Sequence, residues 1–272
     1  MDAPIPDRLP SADLIRRTVD IEAKYTISRL RVLERIAGNP IGVAVRRAGK
    51  NGWCLMARHL PVPSFNAVVG LAAGDENELP AIAQWYRDKD IKFQIEIVPG
   101  LESAALLRGL AELGLHHSGF HVSMIARPQD AKAPDPAIDV QRVTDEAAFE
   151  DFLDAYIAGW KIPDGAGFKR NVRPWLGLPG WSLFVGRIGG KPAAEAIAYL
   201  DGDFCYLADA STDPAFRNRG LQTALLAHRL QHAAKAGVKF ACSGAAFGSA
   251  SHRNMARAGM TLQFVRALWT RL

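Results

Sequence analysis

The stretch Ser211-Thr212-Asp213-Pro214-Ala215-Phe216-Arg217-Asn218-Arg219-Gly220-Leu221-Gln222-Thr223-Ala224-Leu225-Leu226 passes from a buried strand through a sharp turn into a long helix. Cys205 to Ala210, just before it, is a short and mostly apolar run, the pattern of a strand in a core. Asp213-Pro214 breaks that run. From Leu221 the apolar residues recur at helical spacing: Leu221, Leu225, Leu230 and Ala233, with Leu226 widening the face. Gly237 suits the C-terminal cap. The first N–H groups of a helix lack intrahelical partners and carry partial positive charge. Gly220 lets an anion approach the main chain, and Arg217 and Arg219 add full charges. Such a turn suits a phosphate or pyrophosphate; its plainer reading is a strand-to-helix turn with two solvated arginines.

Working outward, the second half has a regular order of elements. Ile138 to Val143 reads as a strand, and Asp145 to Trp160 as a helix capped by Thr144. Pro163 to Pro179 reads as a Gly- and Pro-rich connection bearing Phe168 and Trp175. Trp181 to Ile188 and Pro192 to Leu200 form a hairpin around Gly189-Gly190. Phe204 to Thr212 is the next strand. After the helix from Gly220 come a strand over Lys239 to Ser243, a helix over Ser249 to Ala258, and a last strand over Thr261 to Arg271.

The first half repeats this order. Ser11 to Ala37 is a predicted helix capped by Ser11. Ile41 to Arg47 and Trp53 to Leu60 flank a hairpin turn at Gly49-Lys50-Asn51-Gly52, and Phe65 to Ala72 is a third strand. A helix over Leu79 to Lys89, a strand over Lys92 to Val98, a helix over Ser103 to Leu113 and a strand over Phe120 to Ala126 follow. The segment after Arg127 holds Pro128, Pro134 and Pro136 and no core pattern, which reads as a linker. The expected division is therefore 1–127, a linker at 128–137, and 138–272.

Arg217-Asn218-Arg219-Gly220-Leu221-Gln222 resembles the acetyl-CoA signature Arg-x-x-Gly-x-(Gly or Ala) of the GNAT acetyltransferase superfamily. Pro214 matches the proline usual before that arginine, and Gln222 departs from the small residue usual at the end. Ser249 to Met260 is similar to the superfamily's last motif: Gly259 matches, and Met260 replaces Phe. Where many members carry a Tyr that protonates the departing CoA thiolate, this chain has Met255. The resemblance implies an α/β (α+β) protein of two tandem GNAT-like domains. Each would be a mixed, mostly antiparallel sheet flanked by helices. The first would be degenerate, because it has Leu71-Ala72-Ala73-Gly74-Asp75-Glu76-Asn77-Glu78 at the place of the phosphate turn, and acidic side chains repel a pyrophosphate.

The resemblance also implies acetyl-CoA as co-substrate and an N-acetyltransferase that lets an amine attack the thioester directly. Ala210, Ser211 and Thr212 would pair with the pantetheine arm. Arg217, Asn218, Arg219, Gly220, Leu221, Gln222 and Thr223 would hold the pyrophosphate, and Ser251 and Asn254, three apart on one helical face, would bond CoA. Ser249 as a simple cap, with Asn254 facing water, is the alternative. An attacking amine of lysine type, with a pKa of about 10.4, must lose a proton. Asp209 and Glu195 are candidate acceptors, because carboxylates inside strands are unusual; a carboxylate tied up by an arginine or a backbone donor is the alternative for each. Strand alternation sets Asp209 on one face with Ser211, and Tyr206 on the other with Ala208 and Ala210. Tyr206 is a candidate acid.

Composition sets limits. The chain has 272 residues, 49% of them hydrophobic, with a formal net charge of +5. Residues 1–137 carry 17 Lys and Arg against 16 Asp and Glu, and residues 138–272 carry 16 against 12. The excess lies with the phosphate turn and is too small to suggest nucleic acid. Cys54, Cys205 and Cys242 show no metal spacing and suit buried thiols of a cytoplasmic protein. No secretory signal, membrane span or metal is expected. The expected partner is a small-molecule or peptide amine. A homodimer, and a non-catalytic acyl-CoA-binding protein of the same fold, stay open.

Overall fold

The computed structural model describes residues 10–60 and 62–271. The first half runs α1 (Ala12–Glu34), β1 (Val43–Ala48), β2 (Gly52–Ala57), β3 (Ala67–Val69), α2 (Leu79–Arg87), β4 (Gln94–Ile97), α3 (Ala104–Glu112) and β5 (His116–Ala126). The second runs β6 (Asp139–Arg142), α4 (Glu146–Trp160), α5 (Gly165–Val172), β7 (Trp181–Ile188), β8 (Lys191–Asp201), β9 (Phe204–Thr212), α6 (Leu221–Lys235), β10 (Phe240–Ala246), α7 (Ala250–Arg257) and β11 (Thr261–Thr270).

All strands join one mixed sheet in the order β1-β2-β3-β4-β11-β5-β10-β9-β8-β7-β6. Among the described residues, only β3–β4 and β9–β10 pair in parallel, once in each half. The two halves exchange their last strands: β5 lies between β10 and β11, and β11 between β4 and β5. Each half thus completes the other's part of the sheet. Helices α6 and α7 pack on one face of the second-half strands through Leu221, Leu225, Leu230 and Met255. Helices α1 and α4 cover the opposite face through Tyr25, Leu30, Phe149, Phe152 and Tyr156. Helices α2 and α3 bury Ile82, Tyr86, Leu106 and Leu110 on the first-half strands. Among the described residues, no helix is long and apolar enough to cross a membrane, and no group of three or more His, Cys, Asp or Glu could hold a metal ion.

Several expectations are corrected. The cap of α4 is Asp145, whose carboxylate accepts from Ala148 N at 2.8 Å, and not Thr144. Pro163 to Pro179 contains a helix, α5, capped by Asp164 through Gly167 N. Gly165 and Gly167 lower the intrinsic helix tendency of this segment, but burial of Val172 and packing of Phe168 outweigh it. The predicted strand over Phe65 to Ala72 shrinks to three residues, because Pro63–Phe65 forms a 3-10 turn.

Candidate active site

The turn between β9 and α6 is open. Gly220 is the N-cap of α6 with φ +79, a left-handed conformation that favours glycine, and a Cβ there would lie 2.8 Å from Ile138 Cδ1. Among the described residues the backbone N–H groups from Arg217 to Thr223 find no main-chain acceptor. Arg217, Asn218 and Arg219 are exposed around them. Gln222 folds away: its amide donates to Thr212 Oγ1 at 2.8 Å, so the larger side chain is tied to β9 instead of covering the N–H groups. Beside the turn a cavity of about 330 Å³ runs between α6 and α7, lined by Gly220, Thr223, Ala227, Arg257 and, from the segment before β6, Lys132.

Strand β9 is exposed along one edge and bulged along the other. Its parallel pairing with β10 covers only Phe204 to Tyr206 against Phe240 to Cys242. Beyond that the strands part, and Ser243 Oγ reaches across to Leu207 O at 2.7 Å. Past Tyr206 the β10 side of this strand, along Ala210, Ser211 and Thr212, therefore borders a gap. Toward β8 the register jumps, with Ala196 opposite Ala210 and Ile197 opposite Ala208. The extra residue is Asp209, and a bulge of this kind breaks side-chain alternation. This corrects the expected faces. Tyr206 and Ala208 pack toward α1 and α4, the side on which Asp209 meets Tyr156 and Ser211 meets Gly159, so of the three residues expected opposite Asp209, Ala210 alone packs toward α6.

Under the bulge lies a residue that sequence reasoning missed. Arg229 of α6 is fully buried, and its guanidinium donates to Ala208 O at 2.9 Å, Ile197 O at 3.1 Å and Leu225 O at 3.1 Å. Burial lowers its pKa to about 10. It sits four residues after Leu225 and four before Ala233, so the only sequence signal was its place on the apolar stripe.

The three candidate side chains for proton transfer have different surroundings. Asp209 forms an ion pair with Arg29 of α1 and accepts from Tyr156 OH at 3.1 Å. Arg29 is packed under the rings of Phe65 and Trp175, 4.8 and 5.2 Å from its guanidinium carbon. Glu195 is fully buried; its Oε1 accepts from the Trp160 indole N–H at 3.0 Å, while among the described residues its Oε2 and the neighbouring Ser211 Oγ have no partner. Burial first, and the Asp209 charge second, push the Glu195 pKa up to about 8. Tyr206 donates to Glu22 Oε1 at 3.1 Å, and burial raises its pKa well above the usual phenol value.

On α7, Ser249 is indeed the cap, accepting from His252 N at 3.2 Å. Ser251 is exposed, and Asn254 Oδ1 accepts from Arg257. Met255 points into the core, buried against the α6 face.

With this geometry the comparisons are decisive for the fold. Residues 126–247 match the family model for the acetyltransferase (GNAT) domain. The chain has the GNAT fold. A GCN5-related N-acetyltransferase from Kribbella flavida superposes with a TM-score of 0.63 at 16% identity, over 92% of this chain and 95% of that one. One from Sphaerobacter thermophilus gives 0.60 at 14% identity, over 98% and 96%. A tandem GNAT protein from the clavulanic acid biosynthesis pathway gives 0.61 at 12% identity, over 97% and 96%. Both halves of this chain are therefore parts of a tandem GNAT architecture. No curated protein matches the sequence.

Proposed function

We propose that this protein is an acetyl-CoA-dependent N-acetyltransferase working from its second half on a primary amine of a small molecule or peptide. The observation that carries this reading is the open β9–α6 turn: unpaired N–H groups, a glycine where a Cβ would crowd Ile138, and two exposed arginines at one helix start. Arg217, Asn218, Arg219, Gly220, Leu221, Gln222 and Thr223 cradle the pyrophosphate. The freed edge of β9 at Ala210, Ser211 and Thr212 pairs with the pantetheine arm. Ser251 and Asn254 flank the cofactor from α7. The functional division is 1–127, 128–137 and 138–272, with cytoplasmic location.

The bulge directs the main chain near Asp209 and Ala210 toward the gap, where an N–H can stabilise charge on the acyl oxygen. Asp209 and Glu195 have different roles. Asp209, paired with Arg29 and Tyr156, fixes α1 against β9. Glu195 keeps its proton at neutral pH, since its pKa is about 8, and serves beside Ser211 as a donor rather than a base. Tyr206, hydrogen-bonded to Glu22, holds the wall of the acceptor side.

A non-catalytic acyl-CoA-binding protein is the second reading, favoured by Met255, which offers no proton to a thiolate. Acetyl-CoA incubated with a panel of primary amines, with mass spectrometry of the products, separates the two. An acetylated amine with matching release of CoA supports the enzyme. Binding of acetyl-CoA without product from any amine supports the second reading.

A further inference from the structure

The exchanged strand β5 carries a first-half histidine to the second half's cleft. His121 is the Cα partner of Ala246 on β10 and of Arg266 on β11. Its imidazole lies on the α1 side of the sheet: a Cβ on Gly244 would sit 3.5 Å from His121 Nδ1 and 3.6 Å from Glu22 Oε1. Gly244 thus leaves a space at the β10 edge of the gap, bordered by His121 from β5 and Glu22 from α1. The pairing of β10 with β9 ends at Cys242 with Tyr206, and Gly244 follows two residues later on the β10 side of the gap. His121 therefore reaches over Gly244 of β10, across the gap from the segment of β9 where the acyl group would lie, on the α1 side of the sheet and away from α6.

The charged groups around it are Arg266 on β11, Glu22 on α1 and Glu96 on β4. Arg266 bonds both carboxylates, and Glu22 also accepts from Tyr206 of β9. Both acids are thus engaged, while His121 is half-buried. Burial first, and Arg266 next, hold the imidazole below the usual histidine pKa, with Glu22 and Glu96 opposing. At neutral pH the ring is uncharged and able to take a proton. The other candidates are committed: Asp209 to Arg29 and Tyr156, Glu195 to its own proton, Tyr206 to Glu22.

We propose that His121 is the proton acceptor for acyl transfer, so that the first half supplies a working residue to the second half's site. This rests on the acetyltransferase reading above. His121 takes one proton from the acceptor's ammonium group, directly or through one water, and later passes it to solvent. The neutral amine attacks the thioester carbon; the C–N bond forms, the C–S bond breaks, and the sulfur takes the electron pair. The second proton on nitrogen goes to the thiolate, giving amide and CoA thiol.

The test uses the full chain. Histidine resonances are followed by NMR against pH, with and without saturating acetyl-CoA, and the His121 signal is assigned by its loss in His121→Gln. Calorimetry reads acetyl-CoA binding separately. The expected result is a His121 midpoint below that of a free histidine, moved by bound acetyl-CoA. With n-butylamine as a plain acceptor, His121→Gln should release CoA about 100-fold more slowly at unchanged acetyl-CoA affinity. It should also lose the acidic limb of the pH profile and recover in part with added imidazole. Acetyl-CoA that binds without moving the His121 signal, or undiminished turnover in His121→Gln, overturns the assignment and leaves the acetyltransferase reading standing. No acetyl-CoA binding to the parent chain overturns both.

Discussion

Two turns at matching places in the two halves handle the same local problem in opposite ways. Each follows the third strand after the first helix of its half and leads to a helix that precedes a parallel strand. In the first half, Asp75 is buried and fills the turn with its own carboxylate. Its Oδ1 accepts from Lys50 N at 2.8 Å, and its Oδ2 accepts from Ala72 N and Asn51 Nδ2, both at 3.1 Å. Glu76 accepts from Gly74 N at 2.9 Å and from Ser103 Oγ. In the second half, among the described residues, the donors from Arg217 to Thr223 find no main-chain acceptor, and arginines replace the acids. A built-in carboxylate closes one turn, whereas the other keeps an open row of N–H groups. The strands differ likewise: β2 and β3 bury Cys54, Leu55 and Val68, whereas β8 and β9 bury Glu195 and Ser211.

The largest expected difference between the turns comes from a single acid placed in the open one. Gly220→Glu puts bulk against Ile138 and a negative charge among the N–H groups, and should weaken acetyl-CoA by more than about 100-fold in a titration. Asp75→Asn, in the closed turn, should leave that affinity unchanged and lower stability.

Glu195 sharpens the contrast through pH. Its folded pKa of about 8 lies above its ordinary value of 4.5, so the folded state holds a proton that the unfolded chain releases. The parent therefore loses stability as pH rises from about 4.5 to 8. Glu195→Gln has no such loss, and its advantage in denaturant titrations should grow across that window to roughly 5 kcal/mol. A constant difference between the two proteins would contradict the buried, protonated carboxyl. The loss in Asp75→Asn should be smaller, about 2 kcal/mol, because buried N–H groups lose their acceptor. Smallest is Arg219→Ala: a several-fold loss of acetyl-CoA affinity at low salt that shrinks as ionic strength rises, since the side chain is exposed.

What was legible in the sequence was local. The β9–α6 turn announces itself through proline, arginine and glycine at short spacing, and the repeated order of elements follows from periodicity and turn residues. What escaped was long-range. Arg29 and Asp209 are 180 residues apart, and nothing near either one signals their pairing. The strand exchange depends on which β-edges meet, which alternation within a strand does not encode. The bulge at Asp209 is one extra residue in a ladder and reverses the predicted face of Tyr206 and Ala208. Helix α5 was hidden by Gly165 and Gly167, and Arg229 by a charge on an apolar stripe.

The central claim is that one turn of the two receives the cofactor. Calorimetric titration of acetyl-CoA into the parent chain and into Gly220→Glu tests it most directly. One acetyl-CoA per chain for the parent, and no detectable heat for the folded variant, is the predicted result. Two per chain, or unchanged binding to the variant, would contradict it.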